Sequence, residues 1–181
     1  MSRVRLIEPD DADTKVLESY QSLERSRGSV PNLFKALGYS GAMLGPALGV
    51  ADFTGIESKI PVKEKQLAYL VASRVNHCEY CLERHSKAAL KAGLGEAQIA
   101  ALHQEGDLAE NPLFSERERL IIHFAEELTH KATATSAHIA TLRPTFNDEE
   151  IVELALVISS ANMFNRLANG LGIELEKDLT K

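Results

Sequence analysis

Apolar positions recur at helical spacing along the whole chain, and runs alternating apolar with polar residues and rich in β-branched types are missing. An all-α fold is the expectation. Acidic residues from Asp10 open a segment that closes at Gly28, a residue suited to the left-handed turn past a helix end, so a first helix is predicted over 10–27. Beyond Pro31, a segment to Phe53 carries Gly41, Gly45 and Gly49 four residues apart. That face has little side chain and reads as a packing stripe permitting close backbone approach, with Pro46 kinking or splitting the helix.

Pro61 precedes Leu67, Ala68, Leu70, Val71, Ala72 and Val75, apolar around most of the helical circumference, which predicts a buried helix. Asn76 with Glu79 has capping-box spacing for a further helix running to Gly93, placing Cys78 in its first turn. The pairs Ser115 with Glu118 and Asn147 with Glu150 mark the starts of helices over 116–131 and 147–169. Shorter helices are predicted over 95–104 and 135–142. A shift of 86 residues lays EKQLAYLVASRVN (64–76) on EIVELALVISSAN (150–162) with five of thirteen positions identical. Two readings stand: a duplicated helical unit, or two buried helices of similar composition.

At 181 residues, 44% hydrophobic and 25% charged, the chain is long enough to bury a real core and is read as one domain over 1–181. A net charge of −6 argues against a nucleic-acid partner, which calls for clustered cations. The first ten residues already carry charge and build no apolar leader, and the apolar run 42–51 is too short for a bilayer and is interrupted by Pro46. A cytoplasmic protein with no membrane partner is expected. In a reducing compartment two cysteines point to reversible thiol chemistry or metal binding rather than a structural disulfide.

Those cysteines stand as CxxCxxxH: Cys78, Cys81 and His85, related by i+3, i+4 and i+7 and hence on one helical face. The thiolate is the attacking form, and a helix start stabilises it at Cys78, while His85 can take or return a proton. A sulfenic acid formed on one cysteine would be captured by the other as a disulfide. The alternatives are two inert core thiols, or zinc held by the three motif residues with His77 as fourth ligand. No second ligand pair accompanies the motif, so no metal is expected. His103, His123, His130 and His138 share no spacing with acids or cysteines and read as surface or helix-end residues. Asn162, Asn165 and Arg166 are polar in an apolar helix, where they either cap backbone or line a cleft beside the thiols.

The run LAYLVASRVNHCEYCLERHSKAALKAGL resembles the core of the alkyl hydroperoxidase D (AhpD) and carboxymuconolactone decarboxylase superfamily, particularly peroxidase-related members with an NxCxYCxxxH signature. The match is close over Gln66–Leu94, within a core of about 61–94, and weaker similarity extends from VPNLFKAL to the last helix. The resemblance implies an AhpD-like helical bundle, homo-oligomers, and thiol-dependent hydroperoxide or disulfide reduction with no bound cofactor, using an external thiol or protein reductant. By position it makes Cys81 the sulfenic acid, Cys78 the proton-donating and resolving partner and His85 the relay. It also exposes a departure: Gln66 stands where the family has a glutamate working with the histidine. Glutamine can hold an imidazole by a hydrogen bond but cannot exchange a proton with it. Glu64 lies roughly 200° around the helix from it. Glu79 and Glu83 are the other acids near the motif. Tyr80 replaces a histidine of some members. The decarboxylase branch of the superfamily generally lacks the cysteine pair, which disfavours that activity here.

Overall fold

Residues 2–176 are described by a computed structural model, and among them there are nine α-helices and no strand. They form two compact units, Met1–Asp52 with Leu167–Lys181, and Phe53–Arg166. The thiol motif and its flanking core lie wholly inside the second.

In the first unit, α1 (Thr14–Arg27) is capped by Asp13, whose carboxylate accepts from Val16 N–H at 2.9 Å. Asp10 and Asp11 belong to a separate 3₁₀ turn, so the helix starts later than the acidic run suggests. Tyr20 donates to the Ile7 carbonyl at 2.9 Å, and burial, helped by Glu8, pushes its phenol up to about 12. After the short α2 (Asn32–Ala36) comes α3 (Gly41–Asp52), which runs through Pro46 without splitting. The proline removes one backbone hydrogen bond there, and the helix continues past it. The expected glycine stripe is not a packing face: a side chain at Gly41 would meet Lys15, but Gly45 and Gly49 face open space. The spacing is helical, but among the described residues only its Gly41 end meets a neighbour.

The second unit is built on α4 (Val62–Val75), where every residue from Lys65 to Ser73 is buried. It packs on α5 (Glu79–Lys91) and α7 (Glu116–Lys131), with α6 (Glu96–Leu102) and α8 (Ser136–Leu142) as short supports. Reciprocal capping boxes start α7 at Ser115 and Glu118, at 3.2 and 2.9 Å, and α9 (Asp148–Leu171) at Asn147 and Glu150, at 3.0 and 2.8 Å, as the sequence predicts. By length and composition α9 could cross a membrane, but half of its apolar window is buried inside the fold.

The 86-residue echo has a structural counterpart. Arg117 binds both Glu64 and Glu150, at 2.9 and 3.0 Å, and Asn76 donates to Asn162 at 3.0 Å. Both pairs are positions that the shift superposes. Helix α4 and the first half of α9 therefore run in the same direction with equivalent residues level, the geometry that duplication of a helical unit gives. The chain breaks after α4 and continues straight through in α9.

Lys65 fixes the segment preceding α4. Its fully buried ammonium donates to the Ile56 carbonyl at 2.9 Å and to Ser58 Oγ at 2.6 Å, and lies 3.9 Å from the Phe53 ring centre. Burial lowers its pKa, opposed by Glu153 and Glu57. The clamped loop includes Thr54, whose carbonyl points at the helix-borne site.

Candidate active site: a buried dithiol at a helix junction

The turn between α4 and α5 determines where the sulfurs lie. His77 takes a left-handed conformation at φ 50° and donates to the Arg74 carbonyl at 3.0 Å, while Cys78 N–H returns to Ser73 O at 2.9 Å. This pair of bonds is a Schellman ending, normally served by glycine. Holding histidine there costs of the order of 1 kcal/mol. Cys78 is at once the residue after the α4 ending and the N-cap of α5. The capping-box reading of Asn76 is thereby corrected: Asn76 ends α4, and its amide donates to Asn162 and Asn165 at 3.0 and 2.9 Å instead of starting a helix.

Cys78 is completely buried and Cys81 2% exposed, and the two are free thiols in contact. Their environments differ. Cys78 is held below the usual thiol range by the Cys81 thiol donating to it, against the cost of burial, with further help from the Cys81 backbone N–H and the Asn165 amide. The backbone N–H acts at longer range than a formal capping hydrogen bond. Cys81 moves the other way: its proton is held in the bond to Cys78, burial adds to this, and a charge on Cys78 disfavours a second one. Asn165 and Tyr69 hydrogen-bond Cys81 and partly offset the rise. Two sulfurs sharing one proton titrate as a unit, and here the first ionisation belongs to Cys78.

Asn165 is oriented for this task. Its carbonyl accepts from Asn76, and its amide donates to Ser73 Oγ at 3.0 Å, so the N–H side faces the sulfurs. Ser73 in turn donates to the Tyr69 carbonyl at 2.9 Å. The Tyr69 hydroxyl lies against the thiols, and burial followed by the nearby sulfur charges holds its pKa well above the ordinary tyrosine value.

On the other side of Tyr69 stands His85, stacked on the phenol ring with centroids 3.7 Å apart. Its Nδ1 lies 2.8 Å from Gln66 Oε1, while Gln66 Nε2 donates to the Thr54 carbonyl at 3.1 Å. Because the amide nitrogen is committed to Thr54, the amide oxygen faces the ring and must accept. The proton of neutral His85 therefore sits on Nδ1 and its lone pair on Nε2.

Cys78 and Cys81 thus meet each other, and His85 with Gln66 forms a second pair joined to them through Tyr69, whose ring stacks on His85 and whose hydroxyl bonds Cys81. Tyr80 is buried on α5 with the Arg84 guanidinium 6.0 Å from its ring centre, and its charge would add to the rise in the Tyr69 pKa. Glu83 faces His103, at 3.8 Å, and His103 is bonded to Ser86 at 2.9 Å at the end of α6, so Glu83 does not replace the absent carboxylate at position 66. Among the described residues, no group of three or more His, Cys, Asp or Glu side chains is placed to hold a metal ion. Asn165 lines the thiols, one of the two places its polarity allows, whereas Tyr69 and Ser73 are site residues that the sequence reading passes over although a signal exists. Gln66, Tyr69, Ser73 and Asn76 are polar at i, i+3, i+7 and i+10 on an otherwise apolar helix, which marks one polar face.

Residues 47–127, which include the dithiol, match the model of the carboxymuconolactone decarboxylase family. The Bacillus subtilis (strain 168) protein YdfG is 25% identical over 118 residues, covering 64% of this chain and 78% of that protein. A peroxidase-related protein from Silicibacter sp. TM1040 superposes with a TM-score of 0.87 at 24% identity, covering 98% of this chain and 93% of that one. A peroxidase-related protein from Ralstonia eutropha JMP134, described as an alkylhydroperoxidase AhpD core, gives 0.82 at 21% identity, covering 98% and 94%. At these identities the structural likenesses establish the fold, the AhpD-like helical arrangement that the sequence predicts. Family model and fold agree in what the chain resembles: residues 47–127 are similar to the carboxymuconolactone decarboxylase family, and the helical fold is that of AhpD-like proteins.

Proposed function

We propose that the protein is a thiol-dependent peroxidase that reduces alkyl hydroperoxides through a dithiol–disulfide cycle at Cys78 and Cys81. The observation that carries this reading is the helix-start thiol of Cys78, held below its ordinary pKa and hydrogen-bonded by the thiol that would resolve it. The Cys78 thiolate attacks the terminal peroxide oxygen, the O–O bond breaks, and the departing alkoxide takes the Cys81 proton to leave as alcohol. Cys81, now ionised, attacks the sulfur of the Cys78 sulfenic acid and expels hydroxide, which is protonated through His85 from solvent. One hydroperoxide is reduced and one dithiol oxidised. An external thiol or protein reductant then reopens the disulfide, which fits a reducing cytoplasm.

This reading departs in one respect from the roles the resemblance implies, which give the sulfenic acid to Cys81. The position of Cys78 at the start of α5 and the hydrogen bonds it receives support the opposite order. Purified protein with excess dithiol should consume an alkyl hydroperoxide catalytically, and either Cys78→Ser or Cys81→Ser should abolish turnover. No consumption by the unmodified, fully reduced protein would refute the proposal.

A further inference from the structure

Helix α9 buries Ile151, Leu154, Val157, Ile158, Ala161, Phe164 and Asn165 on one face. Its opposite face is exposed at Glu149, Val152, Leu156, Ser159, Met163 and Arg166, spaced by alternating threes and fours. The three apolar members are large and open, with Val152 66%, Leu156 46% and Met163 38% exposed. That spacing is the seam of a two-helix coil. Read in opposite directions, the stripe complements itself. Reversal about a point between 157 and 158 lays Glu149 on Arg166, Val152 on Met163, and Leu156 on Ser159.

We propose that this stripe is the contact between two copies of the chain, packed as antiparallel α9 helices about a two-fold axis between residues 157 and 158. A two-fold contact is isologous, so every pairing occurs twice. The charges bear on the choice of occupant. Glu149 has no ion-pair partner among the described residues, and Arg166 uses one guanidinium nitrogen on Asn162 while meeting no carboxylate among them. In the antiparallel pair, the acid at one end of the apolar seam meets the base at the other, and a small Ser159 leaves room for Leu156 at the crossing. A lipid surface would leave Glu149 at the apolar rim unpaired. A parallel pairing would set Glu149 against Glu149 and Arg166 against Arg166. This inference is independent of the peroxidase reading.

The test is sedimentation of the full chain with charge-reversal variants, each checked for native helicity by circular dichroism. The unmodified protein should sediment as a dimer, or as an even-numbered assembly containing this contact. E149R and R166E should each weaken association by about tenfold or more, because each places like charges opposite one another twice. The double variant E149R/R166E should restore it to within about threefold, since both signs are exchanged. L156D, on an exposed position that leaves the core intact, should separate the copies. A monomer at tens of micromolar, single variants that do not weaken association, or a double variant no better than the singles would each overturn the proposal. Sedimentation of the monomer with phosphatidylcholine vesicles, abolished by L156D, would overturn it in favour of a lipid surface.

Discussion

Replacing Gln66 by glutamate restores the residue the superfamily usually has at this position, and its effect can be worked out from the contacts. The new carboxylate would stand about 2.8 Å from His85 Nδ1, where the amide oxygen now accepts. A hydrogen bond from imidazolium to carboxylate is worth about 1.5–3 kcal/mol against about 1 for the neutral pair. The difference of about 1–2 kcal/mol raises the His85 pKa by about one unit. Against this, Gln66 is only 3% exposed, and the Thr54 carbonyl loses its amide donor. Q66E should therefore be less stable at neutral pH by about 1–3 kcal/mol. The sign follows from linkage: a histidine whose folded pKa is raised contributes stability below its unfolded value of about 6.5 and loses it as pH rises through the folded value. The Q66E deficit should thus shrink at pH 5 and widen at pH 8 in urea unfolding. The assay for chemistry is the pH profile of peroxide-driven dithiol oxidation in stopped flow. The limb belonging to His85 should move up by about one unit in Q66E relative to the unmodified protein. A folded Q66E with an unmoved limb would refute the placing of His85 and Gln66 in the proton path.

Other consequences follow from the same contacts. Asn165→Ala removes an amide that faces both sulfurs, so the apparent pKa of Cys78 alkylation should rise by about one to two units, while Asn165→Asp, adding a like charge, should raise it further. In Cys81→Ser, one equivalent of hydroperoxide should leave a sulfenic acid on Cys78 that dimedone traps and mass spectrometry locates. In Cys78→Ser the remaining thiol should react more slowly at pH 7. Lys65→Met should destabilise the fold by about 2–4 kcal/mol, measured by urea unfolding, because the carbonyl of Ile56 and the hydroxyl of Ser58 lose a buried donor. It should also loosen His85 through Thr54 and Gln66.

Much of the fold was legible because its signals are local. The caps at Ser115 and Asn147 are satisfied within three residues, and the apolar circumference of 67–75 leaves a helix no alternative to burial. The CxxCxxxH face was legible for the same reason. The junction was not, since neither a histidine in a left-handed turn nor a cysteine N-cap belongs to the residue types that announce helix ends, whereas Asn76 does. Asn76 is instead spent on Asn162 and Asn165, partners 86 and 89 residues away that local spacing does not reveal. Asn165 was noticed as polar in an apolar helix, but only the parallel packing of α4 and α9 determines that it faces the thiols. The glycines of α3 show the opposite failure, a regular pattern of which only the Gly41 end meets a neighbour among the described residues.

The central claim is that Cys78 is the thiol of the pair that ionises first. The direct measurement is the rate of iodoacetamide alkylation against pH in the fully reduced protein, with fragment-ion spectra separating Cys78 from Cys81. The account predicts that Cys78 is modified first, with an apparent pKa below the free-cysteine value of about 8.5, and that Cys81 follows only at higher pH. Modification of Cys81 first, or of both thiols together near 8.5 or above, would contradict it.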